Sequence, residues 1–531
     1  MVLNHFVCVF ASPSPGGRHC LPSPASRLRI LAAASLSAAR VCYLPATLPQ
    51  GSSLNSSRCV SSISNTYFSS YMHQLHLQQA LVLLWTRVLL CLASSPSSPA
   101  TTAGAGKSVP QKHQDPTFGR MSTTTTTGEP DSAQQHAPRP QLSRRITLHT
   151  EPAHIEAVLS RYAGMNPPPV NLAQGVCHWD PPPAALRQME SGLRDPTNHK
   201  YGPALGLPAL REALVAKLEE ENGLDMTGQE VMVTSGGNQA FAMVALALLD
   251  PGDRVLLARP FYCAHQCAVQ LAGGTLVECD WDTSTLLPDM EQVRWEVQRG
   301  VKMVVITTPG NPSGAVCPRE IMEEIARLCG ENNAWLVVDE AYEHFLHDGE
   351  RHFSPCGNSL GCPDNVIHLF TMSKSFGLAG WRVGYAVYPS WASKEMVKVQ
   401  DTLPTHACTG SQQIALAALE GGVDWVKSKV SSLSRCRSAM WAAVKDMGGV
   451  LGKGSFYFLV PVPVEEDRAV DVLARRWGVL TTPGRAFGAP GHIRVSYGSL
   501  PEEQCLPAIR SLAEGLRELT NEASETQAER G

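Results

Sequence analysis

The sequence predicts an α/β protein built around a mostly parallel sheet covered by helices on both faces, with a smaller α/β lobe after it. Two observations carry that expectation. Between residues 231 and 374, apolar runs of strand length (VMVTSG, DRVLLARP, VKMVVITTP, AWLVVDEAY and NVIHLFTMSK) are interleaved with helical stretches such as NQAFAMVALALLD. Strands that are apolar along their whole length belong to sheets buried on both sides, and strands alternating with helices build parallel sheets. After about Cys408 the pattern changes. Helical segments from Ser411 to Met447 lead into GSFYFLVPV, AVDVLARRWGVLTTPG and HIRVSYG, which suit a second, smaller α/β unit.

In chain order, residues 1–145 read as a leader followed by a disordered segment. No Asp or Glu precedes Asp115, while Arg18, Arg27, Arg29, Arg40, Arg58, Arg87, Lys107 and Lys112 are scattered among Ser, Ala and Pro. This acid-poor composition is that of an organelle transit peptide and predicts a chloroplast or mitochondrial address. Translation from Met121, which opens MSTTTTTGEPDSAQQ, would instead give a cytoplasmic product with a disordered start. The apolar run Ala80–Ala93 is too short for a membrane helix of ~20 residues and carries Arg87, so no membrane span is expected.

Residues 146–194 supply a short helix (EPAHIEAVLSRYAGM), then an extended entry, a proline turn and a second helix (NLAQGVCHWDPPPAALRQM), assigned to the N-terminal part of the small domain. Residues 195–407 form the large domain, 408–522 the C-terminal part of the small domain, and 523–531 a disordered tail. Among 531 residues, 43% are hydrophobic and 17% charged, with a net charge of -4. That balance fits a globular protein and gives no electrostatic reason to expect a nucleic-acid partner. The 16 cysteines form no C-x-x-C pair and no zinc-spaced cluster, so reduced thiols are expected and no metal.

Chemistry gathers at the strand ends. Lys374, just past the strand NVIHLF, can lose solvent there, which favours the neutral amine that attacks a carbonyl. Asp339 ends AWLVVD, and a carboxylate so placed can hold a pyridine nitrogen protonated, making the ring an electron sink. Tyr342, three residues on, and Asn311 in the turn TPGNPSG can both reach a ring hydroxyl. The loop SGGNQ lies between strand and helix, so the amides of Gly236, Gly237 and Asn238 can meet a phosphate, with Thr371 and Arg382 adding a hydroxyl and a guanidinium fork. Arg494, on the strand HIRVSYG, is costly to bury without an anion, and a carboxylate matches its geometry; a structural salt bridge is the competing use.

The segments YGPALGLPALREAL, TPGNPSG, VVDEAY and SKSFGLAGWRVGY, in that order, resemble the fold-type I pyridoxal-phosphate aminotransferases of class I and II, over about Asn171 to Leu519. NLAQGVCHWDPPP and WLVVDEAYEHFLHDG are similar to segments of the plant-type aromatic and methionine aminotransferases. The resemblance implies a seven-stranded sheet in the large domain and pyridoxal 5'-phosphate held on Lys374 as a Schiff base. It further implies Asp339 on the ring nitrogen, Tyr342 and Asn311 on the ring oxygen, and Tyr262 stacked on the ring. The phosphate cup would be Gly236, Gly237, Asn238, Thr371 and Arg382. Tyr201 would reach the phosphate of a neighbouring subunit in a homodimer, while Arg494 and Gly175 would meet the substrate carboxylate.

Trp179, His178 and Phe261 fall near the expected substrate pocket, and no arginine stands out for a second carboxylate. Aromatic or large neutral amino acids, methionine included, are therefore the expected donors, with 2-oxo acids as acceptors. Two other readings share the same residues: a C–S lyase or cyclopropane-forming synthase of this fold, and a non-catalytic regulatory protein.

Overall fold

The computed structural model describes residues 140–147, 154–355 and 364–530. The leader, its apolar run and Met121 lie outside the described residues, apart from 140–145. Helix α1 (His154–Tyr162) packs Val158, Leu159 and Tyr162 on the core at helical spacing. A short strand β1 (Val170–Asn171) follows. Helices α2 (Pro183–Gly192) and α3 (Pro208–Glu221) both open on proline, whose missing N–H costs nothing in a first turn.

The large domain then alternates strands and helices: β2 (Gln229–Thr234), α4 (Gly237–Leu248), β3 (Arg254–Ala258), α5 (Cys263–Ala272), β4 (Thr275–Cys279), α6 (Met290–Gln298), β5 (Met303–Thr307), α7 (Arg319–Glu331), β6 (Trp335–Asp339), β7 (Val366–Thr371), β8 (Gly384–Pro389) and α8 (Ser393–Thr402). The seven strands run in the order β2-β8-β7-β6-β5-β3-β4, and β8 alone is antiparallel to its neighbours. The sheet is filled on both faces. Val304, Ile306, Leu336 and Val338 share a core with Leu214 and Leu218 of α3 and Met322 and Ile325 of α7. Met303, Val305, Val337 and Ile367 share another with Phe241 and Val244 of α4 and Val269 of α5. Burial on both sides is why these strands show no polar alternation.

The chain continues through α9 (Thr409–Leu419), α10 (Gly422–Ser431), α11 (Ser434–Val444), β9 (Tyr457–Pro461), α12 (Glu466–Trp477), β10 (Val479–Leu480), β11 (Thr482–Pro483), β12 (His492–Ser496) and α13 (Glu502–Arg530). Strands β11, β12 and β9 form an antiparallel sheet, while β10 pairs in parallel with β1. This pairing draws the segment after β1 into the small domain. Leu172 accepts from the Ser496 amide at 2.8 Å and Ala173 from the Thr482 hydroxyl at 3.0 Å, so Gly175 arrives beside β12.

The expected disordered tail is corrected by the structure, since residues 523–530 continue α13 to Arg530. Alanine, glutamate and glutamine there favour helix, and Glu522 in the preceding turn pairs with Arg468 and Arg476 of α12. Among the described residues no helix is long and apolar enough to cross a membrane, and no group of three or more His, Cys, Asp or Glu could hold a metal. The nine described cysteines are free, with Cys408 exposed.

Directly after Asp339, the Glu340 carboxylate is fully buried and bonded by His352 and His368, each at 2.5 Å, and by Ser354. Burial alone would raise its pKa, but the two histidines outweigh it and hold the carboxyl down at about 2. A carboxyl depressed by folding contributes stability that is complete above its unfolded pKa and is lost as pH falls through the folded value. Unfolding free energy, followed by urea titration between pH 5 and pH 2, should therefore drop more steeply in the wild type than in Glu340→Gln, by on the order of 2 kcal/mol. Parallel curves would remove this role.

Candidate active site

The parallel strands end along one edge, and their last residues wall a cavity of about 230 Å³. Asp339 closes β6, Thr371 closes β7, and the β7–β8 turn carries Lys374 and Arg382. Such an edge is where open α/β sheets bind ligands, because loops and helix N-termini converge there.

Lys374 projects into this cavity and donates from Nζ to the Gly175 carbonyl. Burial, helped by the nearby Arg494 and Arg382 charges, lowers its pKa to about 8 against partial opposition from Cys177 and Asp339. A minor fraction of the side chain, far larger than for an ordinary lysine, is thus neutral amine at physiological pH, the form that adds to a carbonyl. Across the cavity, Asp339 accepts from the Ala341 amide at 3.1 Å, and its other oxygen lies 3.1 Å from His265 Nε2 of α5. His265 is buried, and its Nδ1 has no hydrogen-bond partner. One histidine in an apolar helix gives no signal of its partner in the sequence.

Arg494 of β12 is 1% exposed and forms no ion pair among the described residues. It donates to Asn311 Oδ1 at 2.9 Å and to the Ala173 carbonyl at 2.5 Å, lies 4.6 Å from the Tyr457 and Phe487 rings, and leaves Nε without a partner. The competing salt-bridge use therefore has no acid to carry it. Asn311 turns its amide to the Tyr342 hydroxyl at 3.3 Å, and Tyr342 meets the Tyr457 hydroxyl at 2.8 Å. Burial pushes both tyrosines well above the usual phenol range, so they stay protonated as hydrogen-bonding groups.

At the other end, α4 begins at Gly237 with no side-chain cap, leaving its first amides open to an anion. Gly236 sits at φ +83°, and a Cβ there would collide with the Arg382 guanidinium. Gly237, Asn238, Thr371, Ser373 and Arg382 line this end, and Tyr262 on the wall has Asn238 within hydrogen-bond reach. A flat pyridine carrying an aldehyde, a hydroxyl and a phosphate fits these residues: an acid and an amine in one cavity wall, donors to a ring oxygen, and an uncapped helix start backed by a guanidinium.

Gly236 stands behind the cup against Arg382, and the other expected cofactor residues of the cavity, together with Gly175 and Arg494, line it. Trp179 does not. It is buried and stacked on Phe345 at 6.0 Å, outside the lining of this cavity. His178 bonds the Gly498 carbonyl, and Phe261 joins the sheet core. Tyr201 is also outside the cavity, 89% exposed and edge-on to His406. Ile155 of α1 and Tyr457 of β9 line the cavity without any sequence signal to announce them.

Residues 167–512 match the family model described as aminotransferase class I and II. The chain belongs to this family. It is 38% identical to an aromatic aminotransferase of Arabidopsis thaliana, over 71% of this chain and 97% of the relative. It is 36% identical to the aspartate/prephenate aminotransferase of Thermus thermophilus, over 70% and 98%. A solved Thermus thermophilus aspartate aminotransferase double mutant superposes with a TM-score of 0.66 at 33% identity, covering 71% of this chain and all of that one. The protein is accordingly an enzyme, a pyridoxal-phosphate-dependent aminotransferase.

In this aminotransferase without cofactor, one lysine should react with trinitrobenzenesulfonate with a pH midpoint near 8, well below the ordinary lysine value of about 10.4. The fast phase should vanish in Lys374→Ala. Modification that begins only near pH 10 would show that burial does not free the amine.

Proposed function

We propose that this aminotransferase takes amino groups from aromatic or large neutral amino acids, methionine among them, and passes them to a 2-oxo acid. The observation that carries the reading is the count of cations in the cavity wall. Among the described residues of one chain these are Lys374, Arg382 and Arg494, which on this reading would serve the carbonyl, the phosphate and the substrate α-carboxylate, so the chain offers no further cation from its own lining for a second carboxylate. Where α1 crosses the cavity the wall is apolar Ile155. The relatives' names do not choose by themselves, since an aromatic and an aspartate/prephenate enzyme match almost equally. A solved Thermus aspartate aminotransferase variant is complexed with tryptophan.

When bound, pyridoxal phosphate supplies an aldehyde carbon for the amino nitrogen and a protonated ring that takes up the electrons left by the α-proton. On this reading Lys374 would hold it, Asp339 would keep the ring nitrogen protonated, and Gly237, Asn238, Thr371 and Arg382 would hold the phosphate. Arg494 binds and orients the substrate carboxylate in two directed hydrogen bonds, which aims the α-hydrogen. Lys374 Nζ, whose pKa burial lowers to about 8, takes that proton in its neutral form and returns it. His265 steadies the Asp339 carboxylate.

The exposed Tyr201 supports a homodimer in which that ring reaches into the neighbour's phosphate cup. The acid-poor leader supports delivery to chloroplast or mitochondrion, with a cytoplasmic form if translation starts at Met121.

A donor panel with protein starting at Met121 tests the specificity. Phenylalanine, tyrosine, tryptophan or methionine should exceed aspartate and glutamate by at least about tenfold in kcat/KM, the worth of one unpaired buried charge at minimum. Ile155→Arg should narrow that gap. Aspartate as the best donor, or release of ammonia or a thiol in place of a new amino acid, would overturn the proposal.

A further inference from the structure

Tyr457 touches three parts of the site at once. The β9–β12 register sets Tyr457 opposite Ser496 and Leu459 opposite Arg494, so tyrosine and arginine project from the same face as diagonal neighbours. The guanidinium lies 4.6 Å from the centre of the Tyr457 ring. The hydroxyl is 2.8 Å from that of Tyr342, and a Cβ on Gly175 would collide with it.

Hydrogen-bond polarity around Tyr342 follows from what each group can donate. A guanidinium only donates, so Arg494 fixes the Asn311 carbonyl oxygen toward itself and the Asn311 amide toward Tyr342. Tyr342 already accepts there, and one of the two tyrosines must donate to the other. Burial raises both hydroxyls, but the Arg494 guanidinium lies directly over the Tyr457 ring, whereas its hydrogen bonds reach Tyr342 only through Asn311, so its charge lowers Tyr457 more. Tyr457 is the group whose acidity the arginine enhances more, and hence the better donor. With its two lone pairs filled by Asn311 and Tyr457, the Tyr342 oxygen has its own hydrogen left to aim elsewhere, and both tyrosines line the cavity.

We propose that Tyr457 is a positioning residue: it donates its hydrogen bond to Tyr342 and so commits the Tyr342 proton to an acceptor oxygen in the cavity. The inference rests on the reading that this oxygen is the ring oxygen of pyridoxal phosphate. Arg494 then does two jobs, clamping a carboxylate and orienting, through Asn311 and Tyr457, the Tyr342 hydroxyl.

The test is a pH titration of the visible absorbance of the cofactor-loaded protein. A donor to the ring oxygen stabilises its anionic form, so losing that donor moves the titration midpoint upward. Tyr342→Phe should raise the midpoint by about one unit, Tyr457→Phe by about half a unit, and the double variant no further than Tyr342→Phe alone, because one acts through the other. An unshifted Tyr457→Phe midpoint, or shifts that add in full, would overturn the inference. Absence of any visible band when the wild type is incubated with pyridoxal phosphate would instead overturn the cofactor reading and the inference together. Tyr457→Leu separates the ring from the hydroxyl: removing the surface beneath Arg494 should raise KM for the amino acid about tenfold, with Tyr457→Phe within about twofold of wild type. An equal KM rise in both variants would mean a general loosening of the site and count against the assignment.

Discussion

Positive charge buried without an internal acid partner is the constraint on which the site depends. Arg494 and Lys374 face one cavity, and neither forms an ion pair among the described residues. Lys374 relieves part of the cost because burial lowers its pKa to about 8, which makes its proton far easier to lose. Arg494 has no such exit, because a guanidinium stays charged. Two aromatic faces, one amide oxygen and one carbonyl offset part of its desolvation, and on the proposed function a substrate carboxylate would supply the rest. A guanidinium buried in this way is ready to pair with an anion that enters the cavity.

Three remote segments must meet for this to happen. The strand edge of the large domain contributes Asp339, Thr371 and Lys374. The small-domain sheet contributes Arg494 and Tyr457. The segment after β1 enters through the β1–β10 pairing and lays Ala173 and Gly175 between them, so that the Gly175 carbonyl meets Lys374 and the Ala173 carbonyl meets Arg494. Each contact is local geometry, but none is local in sequence.

Much of this was legible beforehand where burial writes itself into composition. The strands β2, β3, β5, β6 and β7 are read directly because a doubly covered sheet leaves no place for polar residues. Edge strand β4, only partly buried, carries no such mark, while β8 is buried throughout but is bounded by glycine and proline, which read as turn residues. Lys374, Asp339 and Arg494 stand out because charged residues at strand ends need a reason. His265 and Tyr457 are silent, since their roles exist only once α5 has packed on β6 and β9 has paired with β12. Trp179 shows the converse: an aromatic beside a turn cannot be told from core packing until Phe345 is seen beneath it. The last helix was missed because its final turns are polar all round and follow ion pairs with α12 that no periodicity reveals.

The account stands or falls on Lys374 as the group that bonds the cofactor. The most direct measurement is borohydride reduction of the protein incubated with pyridoxal phosphate, followed by mass-spectrometric mapping of the phosphopyridoxyl group. The mark is expected on Lys374 alone, at one per chain. A different lysine, or scattered labelling in the presence of an intact fold, would contradict it.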